Sequence, residues 1–273
     1  MDNGIYEGMK DSEYFGIDMP SSTSTKSLIG RTNMHLAHDR ENPREETDAF
    51  TVGAMVHALV LAPLSIEDNF IRAGKIDRRT KEGKAEYEGL LKRAALRGAR
   101  IISEDQSALA HSMADAVMNN TTWSRIDSLA SRYETVVIGE ICGRPAKCKI
   151  DAASDDFSLV YDLKTTQSAS ASEFSRSAAV FGYAHQAAFY RRVLQSVGKD
   201  LMDFVFVCVE KDAPHAVACY RLSDAAIESA DRNIDGLVER WWAVQEGNRD
   251  GFPDEVMDID IPAWAYTKNE RIA

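Results

Sequence analysis

At 273 residues, with 44% hydrophobic and 27% charged side chains, the chain has an ordinary globular composition and the length of one large domain or two small ones. No uninterrupted apolar run approaches the ~20 residues that span a bilayer, and the polar opening MDNGIYEGMKDSEYFGID does not fit a signal peptide. A cytoplasmic protein with no membrane partner is expected. The net charge of −11 speaks against a polyanionic partner until its distribution is read. Ten basic residues oppose four acidic ones between Arg72 and Arg100, a local +6, whereas eleven acids oppose three arginines from Asp224 to Asp260, a local −8. A chain polarised in this way can hold a polyanion at its basic zone and repel it elsewhere. A solvated helix face is the competing reading.

In chain order, residues 1–20 have little periodicity and read as a loop or a loosely held arm. The run SSTSTKSL (21–28) offers N-caps for a helix through about His38. The charged, proline-broken DRENPREETD (39–48) reads as a surface loop. AFTVGAMVHALVLAP (49–63) is apolar on nearly all sides and reads as a buried helix, with His57 its only ionisable group. Residues 84–98 and 104–120 are two more expected helices. At Tyr133 the texture changes. YETVVIG (133–139) and RPAKCKIDA (144–152) bracket a glycine-containing turn and predict a β-hairpin, and FSLVYDLKT (157–165) a third strand. A helix over 169–198, bent at Gly182, then strands over 203–211 and 215–222 and a helix over 222–247 complete the chain. Helices followed by β-β-β-α-β-β-α predict a mixed α/β fold with a helical N-terminal portion. With no convincing linker, residues 1–273 read as one domain. Cys142, Cys148, Cys208 and Cys219 form no CxxC pair and read as reduced, partly buried thiols.

YDLKTT puts Asp162 and Lys164 two apart on a strand, so both face one way and Leu163 the other. Asp151, eleven residues upstream at the end of the preceding strand, can be carried beside Asp162 by a short antiparallel turn. Two carboxylates next to an ammonium suit phosphodiester hydrolysis. Mg²⁺ needs only one or two carboxylates because it keeps several waters, it acidifies a bound water and neutralises phosphoryl charge, and the lysine can orient that water, stabilise charge, or take a proton if its pKa is depressed. The Leu163 carbonyl is a further oxygen ligand in reach. An Asp-x-Lys strand is also what a surface ion pair looks like. Downstream, Gln186 and Tyr190 in HQAAFYRR share a helix face, from which they can contact a phosphate or orient the lysine; a half-buried helix with a polar edge would look the same. His57 reads as a satisfied core histidine, although a neutral imidazole is a competent metal ligand.

Taken together, STKSL, GAMVHALVLAP, DRRTKEGK (77–84), ISEDQ (102–106) and above all RPAKCKID…YDLKTTQSASASEFSRSAAVFGYAHQAAFY resemble the RecE-like exonucleases of the exonuclease VIII type, within the PD-(D/E)XK nuclease superfamily. The resemblance implies a restriction-endonuclease-like core with a mixed central sheet flanked by helices, the catalytic part lying at 133–222. It implies His57, Asp151, Asp162 and the Leu163 carbonyl as ligands of Mg²⁺, with Mn²⁺ as a substitute, Lys164 as the catalytic lysine, and Gln186 with Tyr190 as the family's Q-x-x-x-Y motif. Glu134 matches a glutamate at the start of the family's first strand, without an assigned role. Many relatives place the metal aspartate directly after Arg-Pro; here Arg144-Pro145 is followed by Ala146, and the interval to Asp162 points to Asp151, with Asp155 and Asp156 as the alternatives. The implied activity is 5′ to 3′ digestion of linear double-stranded DNA from its ends, in a bacterial host cell. The 3′ single strands so left would pass to an annealing protein, and the enzyme would be a ring-shaped homo-oligomer such as a tetramer. The basic stretch then supplies phosphate contacts, with Arg78, Arg79 and Lys81 first. An inactive DNA-binding module, an endonuclease, and a CRISPR-associated type of nuclease on the same scaffold are the alternatives.

Overall fold

The computed structural model describes residues 1–43 and 47–262. The N-terminal part comprises β1 (Gly4–Tyr6), α1 (Asp11–Gly16), α2 (Ser22–Lys26), α3 (Asn33–Glu41), α4 (Asp48–Leu61), α5 (Ile66–Asn69), β2 (Phe70–Ala73), α6 (Lys81–Arg97), β3 (Arg100–Ser103), α7 (Glu104–Met118) and α8 (Thr121–Leu129). The remainder comprises β4 (Arg132–Ile141), β5 (Arg144–Ala153), β6 (Leu159–Thr166), α9 (Ala171–Phe181), α10 (Tyr183–Ser196), β7 (Asp203–Glu210), β8 (Val217–Arg221), α11 (Asp224–Asp231) and α12 (Ile234–Gln245). No helix among the described residues is long and apolar enough to cross a membrane.

Six strands form the central sheet in the order β1-β4-β5-β6-β7-β8, with β6 and β7 parallel and every other pair antiparallel. Strand alternation divides the core into two layers. Val160, Phe204 and Phe206 pack with Phe189 and Val193 of α10 on one side. Tyr161, Leu163 and Val207 pack with Met55 and Val56 of α4 and Met113 and Val117 of α7 on the other. The mixed sheet flanked by helices is the fold class expected from the sequence. The bend at Gly182 is also present, as a left-handed residue (φ +66°) between α9 and α10.

Several expectations are corrected. The helix foreseen from residue 21 through His38 is two helices, because Gly30 turns left-handed (φ +69°) between α2 and α3. The final helix divides at 232–233 into α11 and α12. The loop foreseen over 39–48 is narrower, since α3 reaches Glu41 and α4 starts at Asp48; residues 44–46 of it lie outside the described residues. α8 and the two-stranded parallel sheet of β2 and β3 have no counterpart among the expected elements. The four cysteines are free, but Cys142 is exposed at the hairpin turn rather than partly buried.

The largest correction concerns residues 1–20. β1 extends the sheet beside β4, and Tyr14 packs with Val136 and Ile138 on the face of β4. The buried Lys147 side chain donates to the carbonyls of Tyr14 (2.5 Å) and Ile17 (2.7 Å) and lies 4.3 Å from the centre of the Tyr14 ring. Burial depresses its pKa to about 8, against the pull of Asp18. Removing residues 1–20 would strip a buried ammonium of its acceptors and expose β4 as an edge. The truncated chain is therefore expected to lose most of its urea resistance, and Lys147→Met in that background to recover part of it. Equal urea midpoints for the full and truncated chains would contradict this role.

Candidate active site

The site lies where β5 and β6 part. These strands are paired only at Ala152–Tyr161 and Ala153–Val160. Beyond that point a side chain takes the place of a backbone partner: Asp151 Oδ2 accepts the Leu163 N–H at 2.8 Å. A strand residue's N–H and C=O leave on the same edge, so the Leu163 carbonyl also faces the gap. On the helical side, α4 comes close to β6 through Gly53, where a Cβ would lie 3.3 Å from Thr165 Oγ1. One turn later His57 Nδ1 stands 3.4 Å from Asp151 Oδ2.

A third side chain enters from β4. Tyr133 is opposite Ala152 and Thr135 opposite Ile150, so Glu134 stands across from Asp151. Its backbone is left-handed (φ +49°), a conformation costing a non-glycine residue on the order of 1–2 kcal/mol. One ligand atom from each of His57, Glu134 and Asp151 lies within 4.8 Å of the other two. Burial drives the Asp151 pKa up to about 7, with Asp162 and Glu134 adding to the rise and His57 and Lys164 opposing it. Glu134 is also paired with Lys149, which reaches Asp11 of α1 at 2.6 Å. The N-terminal segment thus contributes a charge to the network behind the site.

Asp162 and Lys164 share a face of β6 as the two-residue spacing predicts, and they form an ion pair. Asp162 Oδ1 accepts from Gln186 Nε2 of α10, while Oδ2 is buried, faces Lys164 and receives no hydrogen bond of good geometry. Burial disfavours the Lys164 charge, but Asp162 and Asp151 outweigh it and hold the pKa above the usual lysine range. Lys164 is therefore suited to orienting a water or stabilising negative charge, and not to accepting a proton at neutral pH. Asp162 lies outside the close trio of His57, Glu134 and Asp151 and touches it through its field on Asp151.

The other sequence candidates divide. Gln186 reaches the site. Tyr190, on the same helix face, does not reach the lysine; its hydroxyl donates to the Lys149 carbonyl at 2.7 Å and supports β5. Asp155 is tied to Arg132 at 2.8 Å, and Asp156 is held near pH 2 by its hydrogen bonds to Ser154 and Ser158. Both are turn residues. Arg144 pairs with Glu246, and the Pro145 carbonyl accepts from Trp242, so the Arg-Pro step fastens the hairpin to α12. Arg78, Arg79 and Lys81 are exposed at the start of α6, with Arg78 4.8 Å from the centre of the Tyr87 ring. Glu134 is the residue for which sequence reasoning found no role; its signal was its position opposite Asp151 in the predicted hairpin.

The donor set fits a divalent cation. An imidazole, two carboxylates and a backbone carbonyl face one gap, and a carboxylate whose charge is disfavoured by burial and by neighbouring carboxylates is relieved by positive charge. A mixed sheet carrying Asp-x-Lys on a central strand, a second aspartate on the neighbouring hairpin strand and an acceptor-seeking glutamine on the next helix defines the PD-(D/E)XK class. More specifically, the family model of a PDDEXK-like domain of unknown function (DUF3799) matches residues 21–257, and the chain belongs to that family. No curated protein matches the chain. Among solved structures, an exonuclease candidate from Eubacterium rectale aligns with 14% identity over 96% of this chain and 99% of its own, with a TM-score of 0.62, which bears on the fold alone. A phage-related exonuclease from Haemophilus somnus 129PT aligns with 11% identity over 84% of this chain and 96% of its own; its TM-score of 0.33 is too low to carry weight.

Proposed function

We propose that the protein is a metal-dependent deoxyribonuclease acting on linear duplex DNA from its 5′ ends, with Mg²⁺ as the native ion and Mn²⁺ as a substitute. The observation that carries this reading is the convergence of His57, Glu134 and Asp151 beside the Asp162–Lys164 pair. His57, Glu134, Asp151, Asp162 and the Leu163 carbonyl would hold the ion. When bound, it supplies Lewis acidity toward the phosphoryl oxygens and lowers the pKa of water. Lys164 orients the attacking water and steadies charge on the phosphate. Gln186 fixes the Asp162 carboxylate, and Tyr190 steadies the strand that bears Asp151. The basic segment around Arg78, Arg79 and Lys81 contacts the DNA backbone, while the acidic stretch from Asp224 to Asp260 repels it. In this reading the product is a 3′ single strand passed to an annealing protein, and the enzyme is a RecE-like homo-oligomeric ring in the bacterial cytoplasm.

The test is incubation with 5′-phosphorylated linear duplex and Mg²⁺. Release of mononucleotides is expected, with none from closed circles and none from Asp162→Ala. Cleavage of closed circles would replace the exonuclease by an endonuclease. DNA retention without cleavage under any divalent ion would replace it by a binding module.

A further inference from the structure

The turn between α9 and α10 carries a cation that the site above does not use. Lys26 is the last residue of α2, a short helix started by the Ser21 cap. The helix is fastened to α10 by the buried contact of Thr25 Oγ1 with His185 Nε2 at 2.9 Å. The Lys26 stem runs along Gly182, where a Cβ would lie 3.5 Å from its Cδ. Its ammonium donates to the Phe181 carbonyl at 2.9 Å, a neutral acceptor that occupies one of three donors. Across the same turn, Lys164 Nζ lies 5.0 Å from the centre of the Tyr183 ring. Burial and the Lys164 charge both depress the Lys26 pKa, with Asp162 opposing them. Asp162 is already engaged by Lys164 and Gln186. Two cations thus flank residues 181–183, and among the described residues only one of them has a carboxylate partner. The turn also presents apolar surface to solvent, Val180 at 79% and Phe181 at 55% exposure.

We propose that the α9–α10 turn is a nucleotide subsite, in which Lys26 holds the phosphate next to the scissile one and the Phe181 ring stacks on its base. The inference rests on the nuclease reading and deepens it. An anion between the two cations relieves their repulsion, and an exposed ring beside a phosphate site suits a base of any identity. The simpler role for Lys26, closing the last carbonyl of α9, accounts for one donor only.

The test is DNA binding by the full chain with Ca²⁺ in place of Mg²⁺, followed by fluorescence anisotropy over a range of salt. Lys26→Gln is expected to weaken binding about tenfold and to reduce the slope of log K against log salt by about one, as loss of one phosphate contact requires. Lys26→Arg should keep the slope. Phe181→Ala should weaken single-strand binding roughly tenfold at unchanged slope. A merely structural Lys26 would lower the thermal midpoint of Lys26→Gln and leave the slope alone, which would overturn the subsite. If the wild-type protein cleaves DNA and Lys26→Gln keeps the full slope, the subsite fails by itself. If the wild-type protein neither binds nor cleaves DNA, the nuclease reading fails and takes the subsite with it.

Discussion

Lys164→Met is expected to abolish metal-dependent cleavage and to destabilise the protein by about 3 kcal/mol, the typical result of removing one partner from a buried ion pair. Asp162 is 3% exposed and would lose its ion-pair partner while keeping the hydrogen bond from Gln186. The informative variant is the double substitution Asp162→Asn with Lys164→Met. It removes both charges and keeps an acceptor for Gln186, so it should recover most of the lost stability while remaining inactive. Chemical denaturation and a nuclease assay on the same three preparations separate the two effects. A double variant no more stable than Lys164→Met alone would mean that the pair is not what holds this part of the sheet.

Asp151→Asn is expected to stabilise the ion-free protein and to eliminate stabilisation by added Mg²⁺. The sign follows from the raised pKa. In the folded chain Asp151 keeps its proton up to about pH 7, whereas in the unfolded chain it loses it near the usual aspartate value. Wild-type stability therefore falls as pH rises from about 4 to about 7, and the full cost is present above that. Asparagine carries no such cost and can still accept the Leu163 N–H through its side-chain oxygen. The advantage of the variant in thermal midpoint should grow through this window and level off above it. Added divalent ion should raise the wild-type midpoint most above pH 7. A variant less stable than wild type at pH 8 without metal, or equally stabilised by Mg²⁺, would remove Asp151 from the metal site.

Much of this arrangement was legible because it depends on short intervals. The two-residue spacing of Asp162 and Lys164 determines that they share a face, and the hairpin explains how Asp151 comes near them. The four-residue spacing of Gln186 and Tyr190 correctly placed them together, but only the register of α10 over the sheet decides that the first meets Asp162 and the second a carbonyl of β5. Glu134 depends on the pairing register of the hairpin and on a left-handed backbone that no local pattern announces. The N-terminal segment is hidden from the sequence for a similar reason. Its elements are too short to show periodicity, and the buried Lys147 that secures them lies more than a hundred residues away. The parallel pairing of β2 with β3 likewise spans the whole of α6.

The bond from the Leu163 amide to Asp151 links the chemistry to the architecture. If Asp151 is a ligand as proposed, it is at the same time a rung of the sheet, and such a group cannot be lost freely. Alanine at 151 would leave the amide of the buried Leu163 without its acceptor, whereas asparagine would leave the rung whole and, in the proposed reading, silence the site. A descendant of this chain that retired from catalysis but continued to fold would thus be expected to pass through asparagine, and its history could be read from that one position.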